Sequence, residues 1–183
     1  PAANPRAVEA ILAADLVVLG PGSLFTSIVP NLQVPGIARA LAGTHAVRVF
    51  VCPKIDSLGE TQGMSVADHV DQLLSLASSP LLDAVLVHHA DAPEFVYPYA
   101  PGPAYRTSAL AGDVVTARDI DTAKRAPFGP IQAGEREISR IEQSVPVVLV
   151  RDFTGSESAA VHDVKALASA LEEVLDQCRS ARR

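Results

Sequence analysis

Apolar positions along this chain follow two patterns: short apolar runs, and longer stretches in which apolar residues return every three or four positions. The runs Leu16 to Leu19, Val47 to Cys52, Leu82 to Val87 and Val145 to Val150 predict strands. The first is continuous, as in strands covered on both faces, and Pro146 places the last at its start or at an edge. Helical spacing fills the intervals. Asn4-Pro5, a cap and a first-turn proline, precedes Val8, Ile11 and Leu12. Val34-Pro35-Gly36 leads to Ile37, Ala38 and Leu41, and Ser65 opens a helix carrying Val66, Val70, Leu73, Leu74 and Ala77, with Asp68 spaced for a capping box. His162-Asp163 opens a terminal helix with an apolar stripe from Val164 to Cys178.

This succession predicts an α/β fold, a Rossmann-like three-layer arrangement around a mostly parallel, doubly wound sheet. Prolines at 93, 98, 101, 103, 127 and 130 break the periodicity through the middle. Residues 90–144 therefore read as an irregular excursion, apart from a strand expected at Val114 to Ala117, within a single domain over 1–183.

Composition narrows the choices. With 48% apolar but only 4% aromatic residues, the core is expected to be Val, Leu, Ile and Ala. A net charge of -6 gives no general attraction for nucleic-acid backbones, and the cluster Arg179, Arg182, Arg183 reads as a solvated helix end. Cys52 and Cys178 are too few and too far apart for a disulfide framework or zinc site, which points to the cytoplasm. The apolar stretch Ile11 to Leu19, interrupted by Asp15, falls well short of the roughly 20 residues of a membrane span. The first residue is Pro1, so the chain reads as the later portion of a longer product. A homo-oligomer is compatible with this pattern.

Candidate chemistry begins where the first strand opens into Gly20-Pro21-Gly22-Ser23-Leu24-Phe25-Thr26-Ser27 and then Asn31. Gly20 and Gly22 permit a sharp turn, and Ser23, Thr26 and Ser27 put hydroxyls beside a helix start, a setting suited to phosphate. Spacing alone fits an ordinary strand-to-helix turn equally well. Gly59-Glu60-Thr61 follows the second strand; Glu60 reads either as an exposed loop charge or as a group that orients a sugar hydroxyl, a metal-bound water or a basic partner. His69 borders the buried face of its helix, where it is expected to be packed and hydrogen-bonded, or else to transfer protons. His88 and His89 should point to opposite faces, which argues against a paired metal site. Asp163 is expected to cap the last helix.

Taken in order, Gly20-Pro21-Gly22-Ser23-Leu24-Phe25-Thr26-Ser27-Ile28-Val29-Pro30-Asn31-Leu32, Val51-Cys52, Gly59-Glu60-Thr61, Asp68-His69-Val70 and His162-Asp163 resemble the YvcK-like, or gluconeogenesis-factor, branch of the CofD-like superfamily. The resemblance implies a cytoplasmic Rossmann-like protein that binds nucleotides or nucleotide-sugars, UDP-sugars in this branch, and regulates gluconeogenic growth and envelope-precursor supply. It implies ligand binding at Gly20, Gly22, Ser23, Leu24, Thr26, Ser27, Asn31, Gly59, Glu60, Thr61, Asp68 and His69. It also implies an earlier strand and glycine-rich phosphate loop that this chain lacks. Pro53 stands where the family usually has Asn, Ile55-Asp56-Ser57-Leu58 where it has Met-Thr-Gln-Pro, and Val161 where a basic residue is frequent. Two alternatives accompany this reading. One is a CofD-like transferase moving a phospholactyl-type group from a guanosine-diphosphate donor with a divalent metal such as magnesium; the other is a diverged fragment without a working site.

Overall fold

The computed structural model describes residues 1–57, 59–76, 81–89, 131, 133–155 and 161–182. The expected strand at Val114 to Ala117 lies outside them. Four strands, β1 (Leu16–Leu19), β2 (Val47–Val51), β3 (Ala84–His88) and β4 (Val147–Arg151), form one parallel sheet in the order β1-β2-β3-β4. Leu16 stands opposite Val47, Val49 opposite Ala84, and Ala84 opposite Val147. The last two strands begin two residues later than their apolar runs. Val145 instead closes the preceding helix by donating its amide to Ile141 at 2.9 Å, and Leu82 is core without being strand.

Among the described residues six helices accompany the strands: α1 (Pro5–Ala13), α2 (Val29–Leu32), α3 (Pro35–Gly43), α4 (Val66–Ser75), α5 (Glu135–Glu142) and α6 (Val164–Ala181), with a π-helical turn at Leu24–Ile28 leading into α2. Local chemistry sets their starts. Asn4 accepts the amide of Arg6, Ser65 and Asp68 form the reciprocal capping box, and Asp163 accepts the amide of Ala166. Helix α5 falls inside the stretch read as irregular. Its two inward apolar residues, Ile138 and Ile141, are too few to give a periodic signal, yet they dock it on the core.

Strand order explains the layering. Right-handed crossovers that all step the same way place their helices on one face. The described strands accordingly run in sequence order without the reversal of a doubly wound sheet. Residues from the π turn, α3, α4 and α5 share one cluster with Phe50, Cys52, Val85 and Val87. The opposite face, Val47, Val49, Val51, Ala84, Leu86 and Leu149, is covered by Ala170, Val174 and Cys178 of α6, which makes the third layer. Strand β1 ends the described sheet, and Val18 is 39% exposed, so its expected cover on both faces is incomplete among the described residues.

The amino ends of the strands are pinned by charge. Asp83 accepts the amide of Arg48 at 2.8 Å, pairs with its guanidinium at 2.9 Å, and pairs with Arg182 at the end of α6, also at 2.9 Å. Arg179 pairs with Asp15. Arg179 and Arg182 therefore tie α6 to the strand starts, whereas a solvated helix end was expected of the cluster; Arg183 lies outside the described residues. Among the described residues no helix is long and apolar enough to cross a membrane.

Candidate functional site

Both loops singled out in the sequence leave the carboxyl ends of neighbouring strands, β1 and β2. Gly20 has φ 89°, and a Cβ there would stand 2.8 Å from the carbonyl oxygen of Val51, so the turn out of β1 requires glycine. Ser23 then caps the π turn. Its hydroxyl accepts the amide of Thr26 at 3.1 Å, and its carbonyl accepts the amides of Ser27 and Ile28.

Glu60 reaches this turn from the second loop. One carboxylate oxygen accepts the hydroxyl of Ser23 and, at 2.9 Å, the amide of Phe25. The exposed-charge reading of Glu60 is thereby corrected: it is half-buried and engaged. Backbone N–H groups at such a helix start attract anions, and here the chain's own carboxylate takes them. The hydrogen bond from Ser23, followed by the Phe25 amide, holds Glu60 below the usual carboxylate range. Thr61 is buried and accepts the Ser57 amide at 2.9 Å, while Gly59, at φ 72°, turns the chain ahead of Glu60.

Asp68 serves α4 by accepting the Ser65 amide at 2.9 Å, and it pairs with Arg140 of α5 at 3.0 Å. One residue on, His69 is fully buried. Its Nδ1 lies 2.8 Å from the Ser65 carbonyl oxygen, which can only accept, so Nδ1 carries the hydrogen. Burial pushes the imidazole below its ordinary pKa, and the neutral ring presents Nε2 as an acceptor. Among the described residues Nε2 has no partner.

A crevice of about 430 Å³ opens where these loops meet the start of α6. Gly22, Ser23 and Leu24 line it from the first loop, Lys54, Ser57 and Thr61 from the second, His69 from α4, and His162 from the segment before α6. A second hollow of about 420 Å³ lies on the other side of the first loop, beside Gly20, Ser27 and Asn31; the Asn31 side-chain amide donates to the Ser27 carbonyl at 2.7 Å. Thr26, Gly59, Glu60 and Asp68 line neither hollow. The sequence-predicted residues thus divide into a wall group, a group behind the loop, and supports.

Two wall residues escaped the sequence reading. Lys54 is 3% exposed, and its ammonium donates to the carbonyl oxygens of Phe153 at 3.0 Å and Val161 at 2.6 Å. His162 was assigned no role beside Asp163. It lies 3.2 Å through Nε2 from the Cys52 carbonyl oxygen and its ring centroid is 5.8 Å from that of Phe153. Burial, then the nearby Lys54 charge, lowers its pKa to about 4. The signal for Lys54 was its place directly after a strand end. At the end of β3 the histidines diverge: His88 Nδ1 accepts the Phe153 amide at 3.0 Å, while His89 is exposed. Among the described residues no three His, Cys, Asp or Glu side chains gather where a metal could be held.

Residues 1–109 match the family described as 2-phospho-L-lactate transferase CofD. A protein of Streptococcus pyogenes serotype M3 named "Putative gluconeogenesis factor" is 49% identical over 94 residues, 51% of this chain and 29% of that protein. Its namesake from a Nostoc species is 48% identical over 89 residues, 48% of this chain and 20% of that protein. Two crystal structures of one Bacillus halodurans protein, titled in one case a member of the upf0052 family, align over 93% of this chain with TM-scores of 0.67 and 0.70 at 24% and 25% identity. The chain spans less than a third of these curated relatives and just under half of the solved neighbour. The four-stranded parallel sheet agrees with that neighbour's fold, and the family match extends over more than half of the sequence; the chain belongs to the CofD family.

Proposed function

We propose that this chain forms one wall of a nucleotide-sugar site, with a UDP-sugar as ligand, in a protein that regulates carbon metabolism during gluconeogenic growth and the supply of cell-envelope precursors. The observation carrying this reading is the buried Nε2 of His69, an acceptor without a partner among the described residues, in the wall of the crevice. Leaving such an atom unpaired costs about 1–3 kcal/mol. A sugar hydroxyl supplies the missing hydrogen. The position is the one at which ligands enter open parallel sheets, outside the carboxyl ends of the strands. Ser23 and Thr61 add hydroxyls on the same wall, and Leu24 and Ile55 add apolar surface for a base. The regulatory role rests on the relatives' gluconeogenesis-factor name.

Thermal denaturation with UDP-N-acetylglucosamine, UDP-glucose, GDP and NAD tests the reading, because a ligand bound only by the folded state raises Tm with its concentration. A rise with either UDP-sugar and none with NAD is expected. No rise with either UDP-sugar overturns the proposal, and a rise with GDP alone transfers support to a guanosine-diphosphate-linked transferase.

A further inference from the structure

We infer that Lys54 is the anion-binding group of the crevice and holds a phosphate or diphosphate of its ligand. The inference deepens the nucleotide-sugar reading by naming the residue that meets the charged part of the ligand. Lys54 is almost wholly buried, yet its recorded partners are neutral: the carbonyl oxygens of Phe153 and Val161. No carboxylate of a described residue forms an ion pair with it. Asp152 and Asp163 act on it only at longer range. Carbonyl oxygens solvate an ammonium without neutralising it, and buried charges in proteins are ordinarily paired. An ammonium also has three hydrogens to donate, and two are used.

The surroundings indicate what completes it. Among the described lining residues Lys54 is the one Lys or Arg, no Asp or Glu lines the crevice, and His69 and His162 are held neutral by burial; burial also draws the Lys54 pKa below that of a free lysine, with Asp152 and Asp163 opposing. On a chain of net charge -6, this crevice is therefore lined by a basic side chain with no acidic one beside it among the described residues. Glu60, an acidic residue nominated for the site from the sequence, is turned to Ser23 and Phe25 and stands outside the lining. If Lys54 served only to strap the segment before α6 to the β2 loop, a neutral donor would do as well. An anion entering the crevice would pair with the ammonium and offset the cost of its burial.

Inorganic pyrophosphate isolates this claim from the identity of the base and sugar. Tm is measured across a pyrophosphate titration at fixed ionic strength, with sodium chloride as control, for the wild type, Lys54→Arg and Lys54→Gln; circular dichroism verifies that each variant is folded. The wild type is expected to gain Tm with pyrophosphate, Lys54→Arg to retain most of the gain, and Lys54→Gln, which can still donate to a carbonyl, to need at least about tenfold more pyrophosphate. No gain in the wild type, or an equal gain in Lys54→Gln, overturns the inference. A Lys54-dependent pyrophosphate response without any response to UDP-sugars upholds it while the nucleotide-sugar reading falls.

Discussion

The amide of Phe25, in the turn after β1, donates to the carboxylate of Glu60, in the loop after β2, at 2.9 Å across a sequence separation of 35. Two loops that belong to successive strands are thereby made into one wall. Hydrogen bonds to charged groups contribute about 1.5–3 kcal/mol, and partial exposure of Glu60 sets the expectation at the lower end. Glu60→Ala should cost about 1–2 kcal/mol in urea denaturation, and Glu60→Gln less, because an amide oxygen still accepts from Phe25. Equal stability of wild type and Glu60→Ala would show that the two loops hold their shapes independently.

His69 offers a test that separates packing from recognition. An Asn side-chain amide can occupy the place of Nδ1 and keep the bond to the Ser65 carbonyl; a Gln amide reaches the place of Nε2. His69→Asn should stay folded but fall somewhat below wild-type stability without ligand, because its amide keeps the bond to Ser65 while its own Oδ1 and second N–H are left to be satisfied at a buried position. It should also weaken UDP-sugar binding by about tenfold or more, with His69→Gln intermediate. Calorimetric titration of both variants decides the matter, and undiminished affinity in His69→Asn removes His69 from recognition.

Three histidines make the fold acid-sensitive. Burial is the leading cause of the lowered pKa at His69, His88 and His162, the last falling from 6.5 to about 4. Between those values the unfolded chain binds a proton that the folded chain refuses, so stability declines as pH falls through that window. Glu60, Asp68 and Asp152, with pKa values lowered by hydrogen bonding, withdraw their support at lower pH still. The urea midpoint should drop from pH 7 to pH 4.5, and His162→Gln should flatten that decline even though it lowers stability at pH 7 by disturbing the contact with Cys52. An unchanged slope in the variant would assign the effect to other groups.

At the opposite end of the sheet, Asp83 is held between Arg48 and Arg182 and is largely buried. Removing one member of such a set leaves the others uncompensated. Asp83→Ala is expected to cost about 2–4 kcal/mol, at the edge of what a small domain tolerates, and to leave pyrophosphate and UDP-sugar affinity unchanged when measured well below its Tm. A loss of affinity in the folded variant would reveal coupling through the strands.

Interactions that span a few residues were readable before any coordinates. Asn4, the Ser65-Asp68 box and Asp163 work within one helical turn, so residue type and spacing suffice. The strands were visible as apolar runs because both sheet faces are buried along β2 and β3. The contacts that assemble the crevice are of another kind. Lys54 meets carbonyls 99 and 107 positions away, and His162 meets Cys52 across 110. Nothing local distinguishes such a lysine or histidine from one in solvent. Glu60 reads two ways in the sequence for the same reason, since its partners belong to another loop. Of the residues nominated for the site, Gly22, Ser23, Leu24, Thr61 and His69 share the crevice, while Thr26, Gly59, Glu60 and Asp68 do not line it.

Because every strand points the same way, the fold sorts its side chains by end: the ionic cluster around Asp83 gathers where the strands begin, and the loops with Ser23, Lys54 and His162 gather where they finish. Substitutions should therefore fall into two classes with different symptoms. Changes at one end would act through the amount of folded protein alone, and changes at the other would also alter what it recognises. The loops could drift toward new ligands while the framework stays under selection for stability alone.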